Sequence, residues 1–149
     1  MQRVGIPSVV FDIPGVGGSK KTLKPYRFSG LAKLASSVLD KRDIRDSVDV
    51  LGVSWGGALA QQFAKDYPDR CNKLVLAATS TGAIMVPGRP QAILKMVSPR
   101  RYIDPEFMTR SVGHLYGGDF RDKPNLSELL LRGTAPPSRT GYVMQLLAG

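Results

Sequence analysis

The sequence holds one cysteine, one histidine and one tryptophan in 149 residues. A lone thiol, Cys71, rules out an internal disulfide framework and fits a reducing compartment such as the cytoplasm. It precedes the apolar run Leu74-Val75-Leu76 and reads as structural. No set of cysteine, histidine and carboxylate residues has metal-ligand spacing, so no metal is assigned, and no cofactor motif is complete. No apolar run reaches about 18 residues, so no membrane span is expected. Met1-Gln2-Arg3-Val4-Gly5-Ile6-Pro7 lacks the apolar core of a signal peptide. Acidic residues are scarce, 12 against 21 Lys plus Arg, giving a net charge of +9. The basic residues are scattered: Lys20-Lys21, Lys24, Arg27, Lys41-Arg42, Arg100-Arg101, Arg132 and Arg139. No aromatic-interleaved stripe accompanies them, so they read as solvated surface and not as a nucleic-acid site.

What is present is an ordinary globular composition, 42% hydrophobic and 22% charged, with one distinctive stretch. Gly52-Val53-Ser54-Trp55-Gly56 has the G-x-S-x-G spacing of a nucleophile elbow. Its context is the one that motif requires: an apolar strand before it (Val48 to Leu51) and a helical run after it (Gly57 to Tyr67). A serine at the tip of such a turn adopts a positive φ, rare outside glycine. Gly52, Gly56 and Gly57 leave room for the helix to pass close to the strand. The competing reading is a tight turn in which Ser54 only caps the helix.

Around that turn the chain alternates. Ser8 to Ile13 reads as a buried strand closed by a Gly-rich loop, Pro14 to Ser19. Phe28, Leu31, Leu34, Ala35, Val38 and Leu39 recur at helical spacing, predicting an amphipathic helix that ends near Arg42. Trp55, Leu59 and Phe63 mark one face of the next helix. Ala58, Ala60 and Ala64 permit close approach to a sheet, and Tyr67-Pro68 stops the helix. Lys73 to Ala78 is the third strand. Strand–helix–strand–helix–strand with right-handed crossovers is an α/β fold: a three-stranded parallel sheet with Ser54's strand in the middle and helices on both faces. After Gly82 the texture changes to short helical pieces punctuated by proline. The division is residues 1–82 as α/β core and residues 83–149 as a helical cap or lid segment. Its apolar side chains Ile84, Met85, Ile93, Leu94, Met96, Val97, Tyr102, Phe107 and Met108 either pack the cap or present an apolar surface.

Other candidates fare less well. Gly15-Val16-Gly17-Gly18-Ser19-Lys20 lacks both the phosphate-loop and the dinucleotide spacing. Asp12 precedes the serine, against the Ser–acid–His order of such folds, and reads as a loop-shaping residue. His114 falls in the cap segment with no acid-bearing strand before it, and reads as a cap residue.

Asp12-Ile13-Pro14-Gly15-Val16-Gly17-Gly18-Ser19 resembles the D-x-P-G-x-G-x-S loop of α/β-hydrolases. Gly52 through Ala64 is more specific and resembles the elbow of the intracellular poly(3-hydroxyalkanoate) depolymerases that act on medium-chain-length polyesters. Pro25 to Leu34, Lys73 to Thr79, Met85 to Gly88 and Ser98 to Ile103 fit the same family. The likeness runs from about Ser8 to Gly149 and is weakest between Asn125 and Arg139. It implies a partial α/β-hydrolase that cleaves polyester through an acyl-enzyme, with Ser54 as nucleophile and the backbone N–H of Trp55 in the oxyanion hole. It implies no cofactor, and a cytoplasmic protein associated with storage granules. The family's second oxyanion donor precedes the region matched, and its acid and histidine lie beyond the cap, so the chain reads as the middle of a hydrolase, inactive alone. The alternatives are an esterase or lipase of other specificity on the same fold, and a non-catalytic fragment that binds granules or other apolar surfaces.

Overall fold

The computed structural model describes residues 5–20, 24–80, 88–123, 125, 128 and 138–148. The chain divides into two compact units: Met1–Phe11, Lys24–Met85 and Leu147–Gly149 form the first, Asp12–Leu23 and Val86–Leu146 the second.

In the first unit, helix α1 spans Phe28–Lys41, strand β1 Val48–Val53, helix α2 Trp55–Asp66 and strand β2 Cys71–Ala77. The two strands pair in parallel, with Val50 beside Leu74 and Val53 beside Ala77. The periodicity that predicts α1 holds in part: Leu31 and Leu39 are buried and Phe28, Ala35 and Val38 half-buried, but Leu34 is exposed and Ala32, outside that pattern, is buried. Ala32 and Leu39 form a core with Phe63 of α2. Val48, Val50, Leu59, Tyr67 and Cys71 pack against that core. Helix α1 stops in a Schellman turn: Ile44 N–H donates to Leu39 O (3.0 Å) and Asp43 N–H to Asp40 O (3.1 Å). This places Asp43 at φ 55°, the left-handed position usually held by glycine. Arg70 then ties the turn before β2 back to α1, donating to Asp40 Oδ1 at 2.9 Å and Ile44 O at 2.7 Å. Burial and then the Asp49 carboxylate push the Cys71 thiol up, which keeps it protonated and suits the structural role read from sequence.

The expected third strand, Ser8 to Ile13, is not formed. This segment carries no strand pairing, and the sheet has two strands, so Ser54's strand is not flanked on both sides among the described residues. The reason is physical. A parallel strand needs a ladder along its edge and cover on both faces, yet Val10 is 90% exposed and only Ile13 is buried. β1 alternates in burial, whereas β2 is exposed from Asn72 to Leu76, and Leu51, Val53 and Val75 remain exposed. β2 ends at Ala77, one residue before the sequence reading, because Ala78 turns to φ 49°.

In the second unit, helices α3 (Pro90–Met96), α4 (Arg100–Ile103), α5 (Pro105–Tyr116), α6 (Asp119–Asp122) and α7 (Arg139–Leu146) are short and proline-initiated in two cases. Met108, Ser111 and Val112 of α5 are buried, and Tyr142 of α7 is also buried. Of the apolar residues read as cap surface, Met108 goes inward, Tyr102 stacks edge-on against Tyr142, and Ile93, Leu94 and Val97 are exposed. Ile84 and Met85 lie outside the described residues. Among the described residues, no helix is long and apolar enough to cross a membrane.

Candidate active site

The turn from β1 to α2 sets Ser54. Its φ is 53° and its ψ −123°, the positive φ expected of an elbow serine, in a region that costs an L-residue roughly 1–3 kcal/mol. Both of its backbone groups are tied. Its N–H donates to Ala77 O at 2.9 Å, and its carbonyl accepts from Gly57 N–H at 2.9 Å. The strained conformation is thereby clamped between the end of β2 and the first turn of α2. Ser54 occupies the N-cap position, but its side chain makes no capping hydrogen bond. It is exposed. The helix-cap reading of Ser54 therefore fails on geometry: a capping serine uses its hydroxyl on the N2 or N3 amide from an extended backbone.

Two glycines make the turn possible. A Cβ at Gly52 would sit 2.6 Å from Ala60 Cβ, Gly56 O and Gly57 Cα, and one at Gly57 would sit 2.5 Å from the Thr79 side chain. The third, Gly56, faces open space within 4 Å, so it does not serve the close approach that the sequence suggested for it. Gln61, which no motif in the sequence marks, braces the same corner: its side-chain amide donates to Gly57 O at 3.2 Å and to Ser80 O at 2.9 Å. Its only sequence signal is a polar residue one turn beyond Gly57.

Trp55 is the first residue of α2. At that position the backbone N–H lies ahead of the intrahelical ladder, in the part of a helix that binds developing negative charge. Its indole rests on Phe28, ring centroids 5.0 Å apart, which fixes the start of α2 against the start of α1.

The remaining candidates are placed as follows. Asp12 shapes its own loop: its carboxylate accepts from Gly18 N–H at 3.0 Å, and its carbonyl accepts from the Ser19 hydroxyl at 2.7 Å. Gly15, at φ 83°, is held through its carbonyl by the Ser138 hydroxyl at 3.0 Å. The Gly-rich loop is thus closed on itself and on the start of α7. His114 is exposed on α5. Among the described residues no imidazole or carboxylate hydrogen-bonds the Ser54 hydroxyl, and no group of metal-ligating side chains forms.

The sequence model of the alpha/beta hydrolase fold family matches residues 3–125. Among curated relatives, a poly(3-hydroxyalkanoate) depolymerase of Ectopseudomonas oleovorans is 53% identical over 141 residues, covering 95% of this chain and 50% of that protein. A 3-oxoadipate enol-lactonase 2 of Acinetobacter baylyi is 28% identical over 134 residues, covering 90% and 49%. Among solved structures, a thermophilic esterase from Thermogutta terrifontis superposes with a TM-score of 0.61 at 21% identity, covering 90% of this chain and 49% of that one. The chain spans about half the length of these proteins.

Proposed function

The chain belongs to the alpha/beta hydrolase fold family, and from that premise we propose that it carries the nucleophile half of a serine hydrolase acting on medium-chain-length poly(3-hydroxyalkanoate). The observation that supports this most is the conformation of Ser54: a non-glycine residue at φ 53° between strand and helix, with its hydroxyl unused by the helix cap. The 53% identity to the Ectopseudomonas oleovorans depolymerase supports the substrate class.

In this reading the Ser54 Oγ attacks the ester carbonyl carbon while a general base takes its proton. The carbonyl oxygen becomes an oxyanion held by the Trp55 N–H. Collapse expels the hydroxyl end of the next polymer unit, which takes that proton, and leaves an acyl-serine. Water then attacks the acyl-serine and releases the acid. A serine hydroxyl is a weak nucleophile without a base, and no described residue serves Ser54 as one. Removing one oxyanion donor alone costs about 10²–10³ in rate. The chain by itself is therefore proposed to be a poor esterase. We propose further that residues 1–82 are core and residues 83–149 a cap whose exposed apolar residues Ile93, Leu94 and Val97 meet alkyl side chains or a granule surface, in a cytoplasmic protein.

The test joins this chain to the portion of the Ectopseudomonas oleovorans protein that it does not match. Release of 3-hydroxyalkanoate from a long-side-chain polymer, lost by about 10⁶-fold in Ser54→Ala, is the expected result. Turnover that survives Ser54→Ala refutes the nucleophile. Equal activity on a short-side-chain polymer refutes the polymer preference and favours a general esterase, because each additional buried methylene should contribute about 0.8 kcal/mol.

A further inference from the structure

The second unit holds a groove of about 660 Å³, among whose lining residues are Arg89, Ala92, Arg110, His114, Phe120 and Arg121. Helix geometry builds it. On α5, Met108, Ser111 and Val112 are buried, so Arg110 and His114, four residues apart, share the outward face. Gly113 lies between them, and a Cβ there would come within 3.1 Å of Arg121 Cα and 3.2 Å of Phe120 O. The bare glycine thus lets α6 settle against α5 and brings Phe120 and Arg121 to the rim. Arg89, just ahead of α3, supplies the third guanidinium. No carboxylate is among the described lining residues. Among the described residues Arg110 pairs with Glu106 at 3.7 Å, the side chains 69% and 84% exposed, and its charge also reaches Asp104. Such a pair binds weakly and leaves Arg110 available to a better partner.

Guanidinium forks match the two oxygens of a carboxylate. Phe120 and Ala92 are the apolar residues of the described lining, and a small inorganic anion would make no use of them. The groove's volume falls within the range of small-molecule clefts. We propose that this groove binds an amphipathic carboxylate, a medium-length alkanoate whose head sits among Arg89, Arg110 and Arg121 and whose chain lies along Phe120 and Ala92. The site needs nothing from Ser54, so binding is measured on the Ser54→Ala chain, where failure of the ester chemistry has no bearing on it.

Isothermal titration with sodium octanoate is the experiment, with octan-1-ol and inorganic phosphate as the two comparison probes. Octanoate should bind saturably. Octan-1-ol and phosphate should each bind at least about tenfold more weakly, since one lacks the charge-assisted hydrogen bonds and the other lacks the chain. Arg110→Ala with Arg121→Ala should weaken octanoate by about tenfold or more, and Arg89→Ala, an exposed single change, should weaken it measurably. Glu106→Gln should bind at least as tightly as the parent. Equal binding of octan-1-ol or of phosphate, no loss in the arginine variants, or weakening in Glu106→Gln would overturn the proposal.

Discussion

Replacing Gly52 by alanine and replacing Gly56 by alanine should move stability in opposite directions, although both glycines belong to the same five-residue motif. At Gly52 the added methyl meets three atoms at 2.6 Å: Ala60 Cβ, Gly56 O and Gly57 Cα. Ordinary carbon contacts begin near 3.5 Å, so α2 must retreat from β1 by about 1 Å. Two of the three atoms are backbone of the elbow itself, so no side-chain rotation relieves the contact. Overpacking of this kind costs typically 1–3 kcal/mol, and the rigid neighbours place Gly52→Ala at the upper end, about 3 kcal/mol. That corresponds to a fall in melting temperature of roughly 10 °C for a chain of this size. At Gly56 the methyl meets nothing within 4 Å. Alanine then gains helix propensity of up to about 1 kcal/mol, less in a first turn. Urea unfolding followed by circular dichroism reads both changes, and the soluble yield reports Gly52→Ala if it does not fold. A Gly52→Ala midpoint equal to or above that of Gly56→Ala would refute the claim that close passage of α2 over β1 holds the elbow.

Asp43→Gly should stabilise the chain by about 1 kcal/mol, because Asp43 sits at φ 55° in a Schellman turn where glycine carries no Cβ penalty. A urea midpoint unchanged or lowered would count against it. Ser54→Gly should also raise stability, by about 1 kcal/mol from relief of the strained φ of 53°, while removing ester turnover in the fused protein; loss of both would mean that the hydroxyl has a structural partner. Asp104 caps α5, and its carboxyl is held below the ordinary carboxylate range first by the Phe107 N–H and then by the Arg100 guanidinium. Between the folded and unfolded values the unfolded chain therefore binds the extra proton, so this support is complete above the ordinary carboxylate range and is lost as pH falls through the lower, folded value. An acid titration of α5 amide exchange should show that loss in the parent and not in Asp104→Asn; identical titrations would refute it.

Local periodicity carried the elements whose partners lie close in sequence. α1, β1, α2 and β2 pack on one another within about fifty residues, and most of their apolar positions show in the sequence: Leu39, Phe63 and Val50 fall at the spacings that face the shared core, while the small Ala32 joins it without standing out in the pattern. Ser8 to Ile13 has an equally good strand composition and forms no strand. Composition reports that a segment can be buried; it does not supply the neighbouring edge that must accept its hydrogen bonds. The glycines show the same limit. Gly52, Gly56 and Gly57 look alike in the motif, yet only the side of the turn facing Ala60 and Thr79 is crowded, and that depends on where α2 travels after leaving Ser54.

The candidate site was legible to the extent that one turn encodes it. G-x-S-x-G names a backbone path, and a path short enough to lie within five residues is fixed by those residues: hence the positive φ of Ser54 could be expected before any coordinates. The residues that hold the path in place could not. Ala77 O, which accepts the Ser54 N–H, and Gln61, which bridges Gly57 O and Ser80 O, enter through tertiary pairing and carry no pattern of their own. The basic residues invert the lesson. Arg89, Arg110 and Arg121 are dispersed along the chain and look like ordinary surface charge, but α3, α5 and α6 return them to one groove. Dispersal in sequence is therefore no argument for dispersal in space. A net charge of +9 acquires chemical meaning only once the helices that gather part of it along one groove are in place, because a cleft lined by charge of one sign concentrates the anion that fits it.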